Sequence, residues 1–316
     1  MYGYLNTSRD TVLCPELNDN PQSRESGDMD QFLLVALNGF TLAALYFLVA
    51  SGLTLIFGLM RVITMAHGTS YLLGGYIGYV IVRETGNWIL GALGAAVLVS
   101  LLGLIIHQVL IRRFQDDQMR VALITLGVSL IGTDLMLAVF GGTATQVPIP
   151  QEYQVALDIP FVGPYPLIRI AILAIAIAVG VALTLLINMT RFGSIVRAGV
   201  DDSQMTSATG VNVRVVFASI FVLGSALAAF AGVAGGTLFP LLPGQDGTYL
   251  LFSLVVVIVG GMGSVPGAAI GAVLVGLVSQ FALVYVPTYS LVLTFALMVV
   301  VLAIRPQGIL GRKSAA

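Results

Sequence analysis

The sequence predicts an all-α polytopic membrane protein of about eight transmembrane helices, some of them broken or re-entrant. Composition is the first reason: of 316 residues, 58% are hydrophobic and only 9% are charged, too oily for a soluble globule. The second is run length. Apolar stretches recur from residue 32 onward, many near the about 20 residues that a hydrocarbon core of about 30 Å demands of a helix. The third is the gathering of arginines between those stretches, which fixes how a membrane chain is threaded.

Taken in order, apolar segments fall at 32–58, 69–83, 88–111, 121–141, 167–188, 215–237, 249–262, 266–286 and 290–304. Before them, residues 1–31 are polar and carry six acids against Arg9 and Arg24. They lack the basic start and apolar core of a cleavable signal peptide and read as a disordered extension. Residues 32–312 read as the membrane domain and 313–316 as a tail. The segments 69–83 and 249–262 are too short to cross unless neighbours extend them. Short, glycine-flanked pieces of this kind are tolerated where they line a polar pathway. One is entered through Gly68 to Gly78 and the other leaves through Gly260 to Gly271, which hints at a weak duplication of 32–141 in 167–304. Small-residue pairs four apart, Gly91/Ala95, Gly224/Ala228 and Gly232/Gly236, mark helix faces that let backbones approach.

Arg112, Arg113 and Arg120 follow the third segment, Arg191, Arg197 and Arg214 the fifth, and Arg305, Arg312 and Lys313 the last. Placing all three groups in the cytoplasm is consistent with single crossings between them. The proline-rich loop 142–166, the loop 238–248 and the N-terminus then lie outside, and the C-terminus inside. Arg61 and Arg83 fit this scheme less cleanly.

Several chemistries are excluded. Cys14 is the single cysteine, so neither an internal disulfide nor a cysteine metal cluster can form. There is no GxxxxGK[ST] phosphate loop, no HExxH and no nucleophile elbow. The chain is expected to be non-catalytic, with no cofactor of its own, and its scattered cations do not form a nucleic-acid surface.

Polar residues inside the spans are the candidate functional groups, because an unpaired polar group in hydrocarbon is costly. Asn38, Thr41, Tyr46 and Thr54 lie in the first span, the first three on one broad side of a helix. Interhelical hydrogen bonding competes with a translocation path as their role. Thr64, His67 and Gly68 follow in Ile63-Thr64-Met65-Ala66-His67-Gly68, where His67 reads as a residue that braces a turn. Asp134, in Gly132-Thr133-Asp134, is the clearly intramembrane acid and a pathway candidate. His107 reads as interfacial.

From Asn38 to Gly68 the chain resembles the first-span signature of branched-chain amino acid ABC transporter permeases of the LivH type. The matching residues are Asn38, Gly39, Thr41, Tyr46, Leu48, Ala50, Gly52, Thr54, Phe57, Gly58, Ala66, His67 and Gly68. Met65 departs from the family's pattern, and so does Thr64, which stands for its asparagine and lacks the amide's extra donor and acceptor. If that position touches substrate, the usual substrate is in doubt. The stretch 191–214 resembles the loop by which such a permease docks on its ATPase: Arg197, Ala198, Asp202, Met205, Gly210 and Asn212 match in register. Asp201 stands for Glu, Thr206 for Ala and Val211 for Ile. Asp201 and Asp202 would favour the start of a short helix running towards Thr209, and Gly210 would end it. A third match is the glycine run Gly260, Gly261 and Gly263 with Gly267 and Gly271, whose exposed backbone could bind an amino-acid carboxylate or ammonium. Arg305-Pro306 to Gly311-Arg312 resembles the family's terminus.

The resemblance, covering about 32–312, implies a permease subunit of an importer in a bacterial inner membrane. Its implied partners are a second, related permease subunit, two cytoplasmic ATPases that bind Mg-ATP, and an extracytoplasmic substrate-binding protein. The implied substrate is a branched-chain or related amino acid, with urea, short amides or aromatic acids as alternatives. A self-contained secondary transporter or channel is the rival from another class.

Overall fold

The computed structural model describes residues 21–60, 64–114, 117–150, 153–159, 163–201 and 203–311. Residues 1–20, Asp202 and the 313–316 tail lie outside the described residues. Helix α1 (Pro21–Met60) is 40 residues long, about 60 Å at 1.5 Å per residue. It therefore starts inside the segment read as a polar extension and outruns a bilayer core.

Seven helices among the described residues are long and apolar enough to span a membrane. They are the Met29–Gly58 part of α1; α3 (Trp88–Ile106) with its continuation to Ile111; α4 (Gln118–Phe140); α5 (Leu167–Met189); α8 (Val213–Leu238); α10 (Val265–Tyr285); and Pro287–Ile304, which contains α11 (Ser290–Ile304). The two segments that sequence marks as short are the remaining membrane-depth helices, α2 (His67–Thr85) and α9 (Asp246–Gly260).

Local chemistry sets the ends. Asn87 caps α3, its side chain accepting from the Ile89 and Leu90 amides at 2.9 and 3.1 Å. Asp117 caps α4 through the Arg120 amide and pairs with the Arg120 guanidinium at 2.8 Å. Ser264 caps α10 through the Gly267 amide at 3.1 Å. Past Ile106, α3 widens by one residue, the Arg112 amide bonding to the His107 carbonyl at 2.8 Å. His107 is fully buried there against Phe221.

Two seams organise the bundle. The glycines of α2 lie on α8: Gly74 faces Ala229, Gly75 faces Gly232, and Gly78 faces Val233. The two helices run parallel. Helices α1 and α10 run antiparallel, with Gly276 on Ala43 and Gly39 on Leu277. Between α4 and α5 a hairpin of β1 (Ala156–Ile159) and β2 (Gly163–Pro166) sits with the Leu238–Gln245 turn, to which Thr145 is joined by a backbone bridge at Leu241. At the opposite face lie α6 (Arg191–Asp201) and α7 (Ser203–Ala208).

The depth of α2 and α9 follows from their contacts. His67, the first residue of α2, places Nε2 3.0 Å from the Val49 carbonyl oxygen within α1. Gly52, one turn further along α1, lies on Gly224 at the midpoint of α8. Thus α2 starts near mid-depth and rises with α8, while α9 also starts near mid-depth and descends to the face carrying α6.

A polar junction at mid-depth

The starts of α2 and α9 touch. A Cβ added to Gly68 would collide with the Asp246 carbonyl oxygen, so glycine is required for the approach. Neither Ala66 nor Gln245, the residues that precede these helices, supplies a side-chain cap. Two helix N-termini therefore meet inside the bundle with amide groups that lack intrahelical partners.

Between them sits the Asp246 carboxylate, 9% exposed. Its Oδ2 is within hydrogen-bond distance of the Thr69 hydroxyl at 3.1 Å, the Ser129 hydroxyl at 2.9 Å and the Thr133 hydroxyl at 3.0 Å. Thr69 and Ser129 also touch each other at 2.7 Å. Three elements, α2, α4 and α9, are thus tied through one oxygen. Among the described residues no donor reaches Oδ1 and no cation pairs with this acid. One turn on, Tyr71 and Tyr249 pack with ring centroids 4.2 Å apart, and Tyr46 stacks on Phe252 at 5.1 Å.

The sequence-predicted residues divide around this junction. His67 and Gly68 belong to it, and Tyr46 lies in the aromatic layer beside it. Asn38 and Thr41 do not reach it. They bind the far end of α5 instead: Thr41 Oγ1 is 2.9 Å from the Tyr165 hydroxyl, which donates to Asn38 Oδ1 at 3.3 Å, and Arg169 donates to the same Asn38 oxygen. Thr54 and Thr64 are buried with hydroxyls that find no hydrogen-bond partner among the described residues. Asp134 is exposed on α4, turned away from the face that carries Ser129 and Thr133. The glycines 260–263 lie at the opposite end of α9, where neighbouring backbone fills the space: Gly260 on Gly267, Gly261 on Gly311 and Gly263 on Gly58. Those contacts use the missing side chains for packing, and this run stands apart from the mid-depth cluster.

Asp246, Thr69, Ser129 and Thr133 are absent from the sequence-derived site. Leu241 to Thr248 reads as an external loop, because Pro243-Gly244-Gln245-Asp246-Gly247 has turn composition. The available signal was that Asp246 opens a segment too short to span the bilayer, so the loop before it must dip inward.

The loop after α5 forms two short helices. Thr190 caps α6 by accepting from the Gly193 amide at 3.1 Å. Helix α6 buries Gly193, Val196 and Gly199 and exposes Arg191, Ser194 and Ala198. Arg197 donates to the Ile187 carbonyl oxygen at the end of α5. In and after α7, Met205 is exposed, Thr206 is buried, and Gly210 ends the turn at φ +88°. Val211 packs on the core and Asn212 is exposed. Asp201 ends α6, directly before the undescribed Asp202.

Seven spanning helices wrapped around two further helices whose N-termini meet near mid-depth, α2 of 19 residues and α9 of 15, define a multi-pass membrane permease of the broken-helix class. Residues 35–302 match the family model described as "Branched-chain amino acid transport system / permease component", and the chain belongs to that family. It is 32% identical over 296 residues to the "High-affinity branched-chain amino acid transport system permease protein LivH" of Escherichia coli K12, covering 89% of this chain and 96% of that one. To the BraD permease protein of Pseudomonas aeruginosa, described in the same words, it is 30% identical, with the same coverage. Among solved structures, "PsaBC from Streptococcus pneumoniae in complex with Fab" shares the fold, with a TM-score of 0.51 at 12% identity over 90% of this chain and 97% of that one.

Proposed function

We propose that this chain forms the translocation pathway of an ABC importer for branched-chain or related amino acids, driven by ATPases that dock on residues 197–212. The docking of α6 carries this reading. An amphipathic helix tied to the end of α5 through Arg197 and presenting its polar side outward is a rigid lever against spanning helices. A movement applied to α6 and α7 passes directly to α5 and α8, which flank them in the chain.

Orientation follows from charge. Among the described residues, Arg112, Arg113, Arg120, Arg191, Arg197, Arg214 and Arg305 lie at the α6 face, against Arg24, Arg83 and Arg169 at the other. The positive-inside rule makes the α6 face cytoplasmic, with the hairpin face open to a substrate-binding protein. The complex is then a second, related permease, two Mg-ATP-binding subunits and that binding protein, in a bacterial inner membrane, with ATP hydrolysis by the partners alone.

Purification of the tagged chain from native membranes in mild detergent, followed by mass spectrometry, tests this. ATPase subunits and a second permease are expected to co-purify. Recovery of the folded chain without an ATPase, across several detergents, refutes the assignment.

A further inference from the structure

A carboxylate buried at membrane depth calls for a partner. At Asp246 three hydroxyls converge on Oδ2, and Oδ1 has none among the described residues. We propose that the Asp246 carboxylate, held by Thr69, Ser129 and Thr133 where α2 and α9 begin, receives the ammonium group of a zwitterionic amino acid during its passage. This rests on the transport reading above.

Electrostatics narrows the ligand class. Each helix N-terminus carries about half a positive charge, and the two that meet here nearly balance one carboxylate. A bare cation or a bare anion would unbalance the junction, whereas a zwitterion adds no net charge. Its ammonium can meet Oδ1 while its carboxylate meets the uncapped amides at the start of α2, the geometry in which broken helices bind anionic groups. The junction is also open on one side. Gly247 and Thr248, directly after Asp246, are exposed, and nothing lies within 4 Å of where a Gly247 Cβ would stand. Tyr249, three residues after Asp246 and only partly buried, offers the adjoining ring face for an aliphatic side chain and is backed by the buried Tyr71.

The test uses the complete complex in ATP-loaded proteoliposomes, with radiolabelled leucine delivered by its binding protein. Asp246→Asn keeps an oxygen acceptor for the three hydroxyls and removes the charge. Leucine uptake should fall at least about tenfold, the size of a lost charge-assisted hydrogen bond, while Asp246→Glu stays within about threefold of wild type. Undiminished uptake by Asp246→Asn overturns the proposal and leaves the transport reading standing. Equal loss in both variants, at wild-type abundance, makes the acid a structural brace and also overturns it. Failure of the wild-type complex to take up leucine overturns both readings. If Asp246→Asn does not accumulate, labelling of wild-type Asp246 by dicyclohexylcarbodiimide decides. Leucine should slow it and isocaproate, which lacks only the ammonium, should not; equal effects of the two refute the proposal.

Discussion

Gly232→Ala is the sharpest probe of the α2–α8 seam. A Cβ at Gly232 would meet three backbone atoms of α2: the Tyr71 carbonyl oxygen, its carbon at 2.8 Å and the Gly75 amide nitrogen at 2.9 Å. None belongs to a side chain that can swing aside, so the helices themselves must separate. Opening by about 0.5–1 Å forfeits a quarter to a half of each dispersion contact along the seam. Overpacking of this sort costs about 1–3 kcal/mol, offset by the about 0.8–1 kcal/mol that alanine gains over glycine within a helix. The expected net loss is about 0–2 kcal/mol, at most a factor of about 30 in the folded-to-unfolded ratio, and so about 1–3 kcal/mol below an alanine that incurs no packing cost. Gly127→Ala in α4 is the control. Nothing lies within 4 Å of its Cβ position, so it should stabilise by the propensity gain alone. Reversible unfolding in mixed micelles measures both variants. If Gly232→Ala matches Gly127→Ala, the helices are not in backbone contact and the seam is wrongly described.

The remaining expectations concern the caps, clamps and lever. Gly210→Pro removes a residue at φ +88° and the amide that bonds to the Ser207 carbonyl at 3.0 Å; uptake should be lost while the amount of protein in membranes is unchanged, and undiminished uptake counts against the coupling role. Trp88→Phe breaks the 2.8 Å bond from the indole to Thr237 Oγ1 and should cost about 0.5–1.5 kcal/mol. A cycle with Thr237→Val should show coupling, and additive losses would mean the bond contributes nothing. Arg169→Met removes the donor to Asn38 and the cation 5.9 Å from the Tyr165 ring centroid. It should destabilise by about 1.5–3 kcal/mol, read in the same micelle assay.

Spans were legible in the sequence because they depend on local quantities: apolar length and glycine content. Segments 69–83 and 249–262 stood out by their shortness; neighbouring residues extend the first to the 19 residues of α2, while the second forms the 15-residue α9. What composition could not reveal was pairing across distance. Arg169, in the first turn of α5, answers the polar Asn38 of α1, 131 positions away in the chain. Asp134 and Thr133 are neighbours in sequence, but the rotation of about 100° between successive helical residues sends Thr133 inward to Asp246 and leaves Asp134 exposed. The Gly260–Gly263 run has the composition of a binding loop, and only the approach of Gly58, Gly267 and Gly311 shows what its missing side chains accommodate.

The far end of α9 bears on the order of biogenesis. The last carbonyls of a helix need partners, and here two come from much later in the chain: the Ile309 amide bonds to Val259 at 2.9 Å and the Leu310 amide to Gly260 at 3.0 Å. Gly308 and Gly311 let this strap lie flat on Gly261. While α10 and α11 are still being threaded by the insertion machinery, α9 has its N-terminus docked and its other end unfinished. Its seating is completed only when residues 305–311 have emerged from the ribosome, so the last turn of α9 gains its carbonyl partners after its first turn has joined the polar junction.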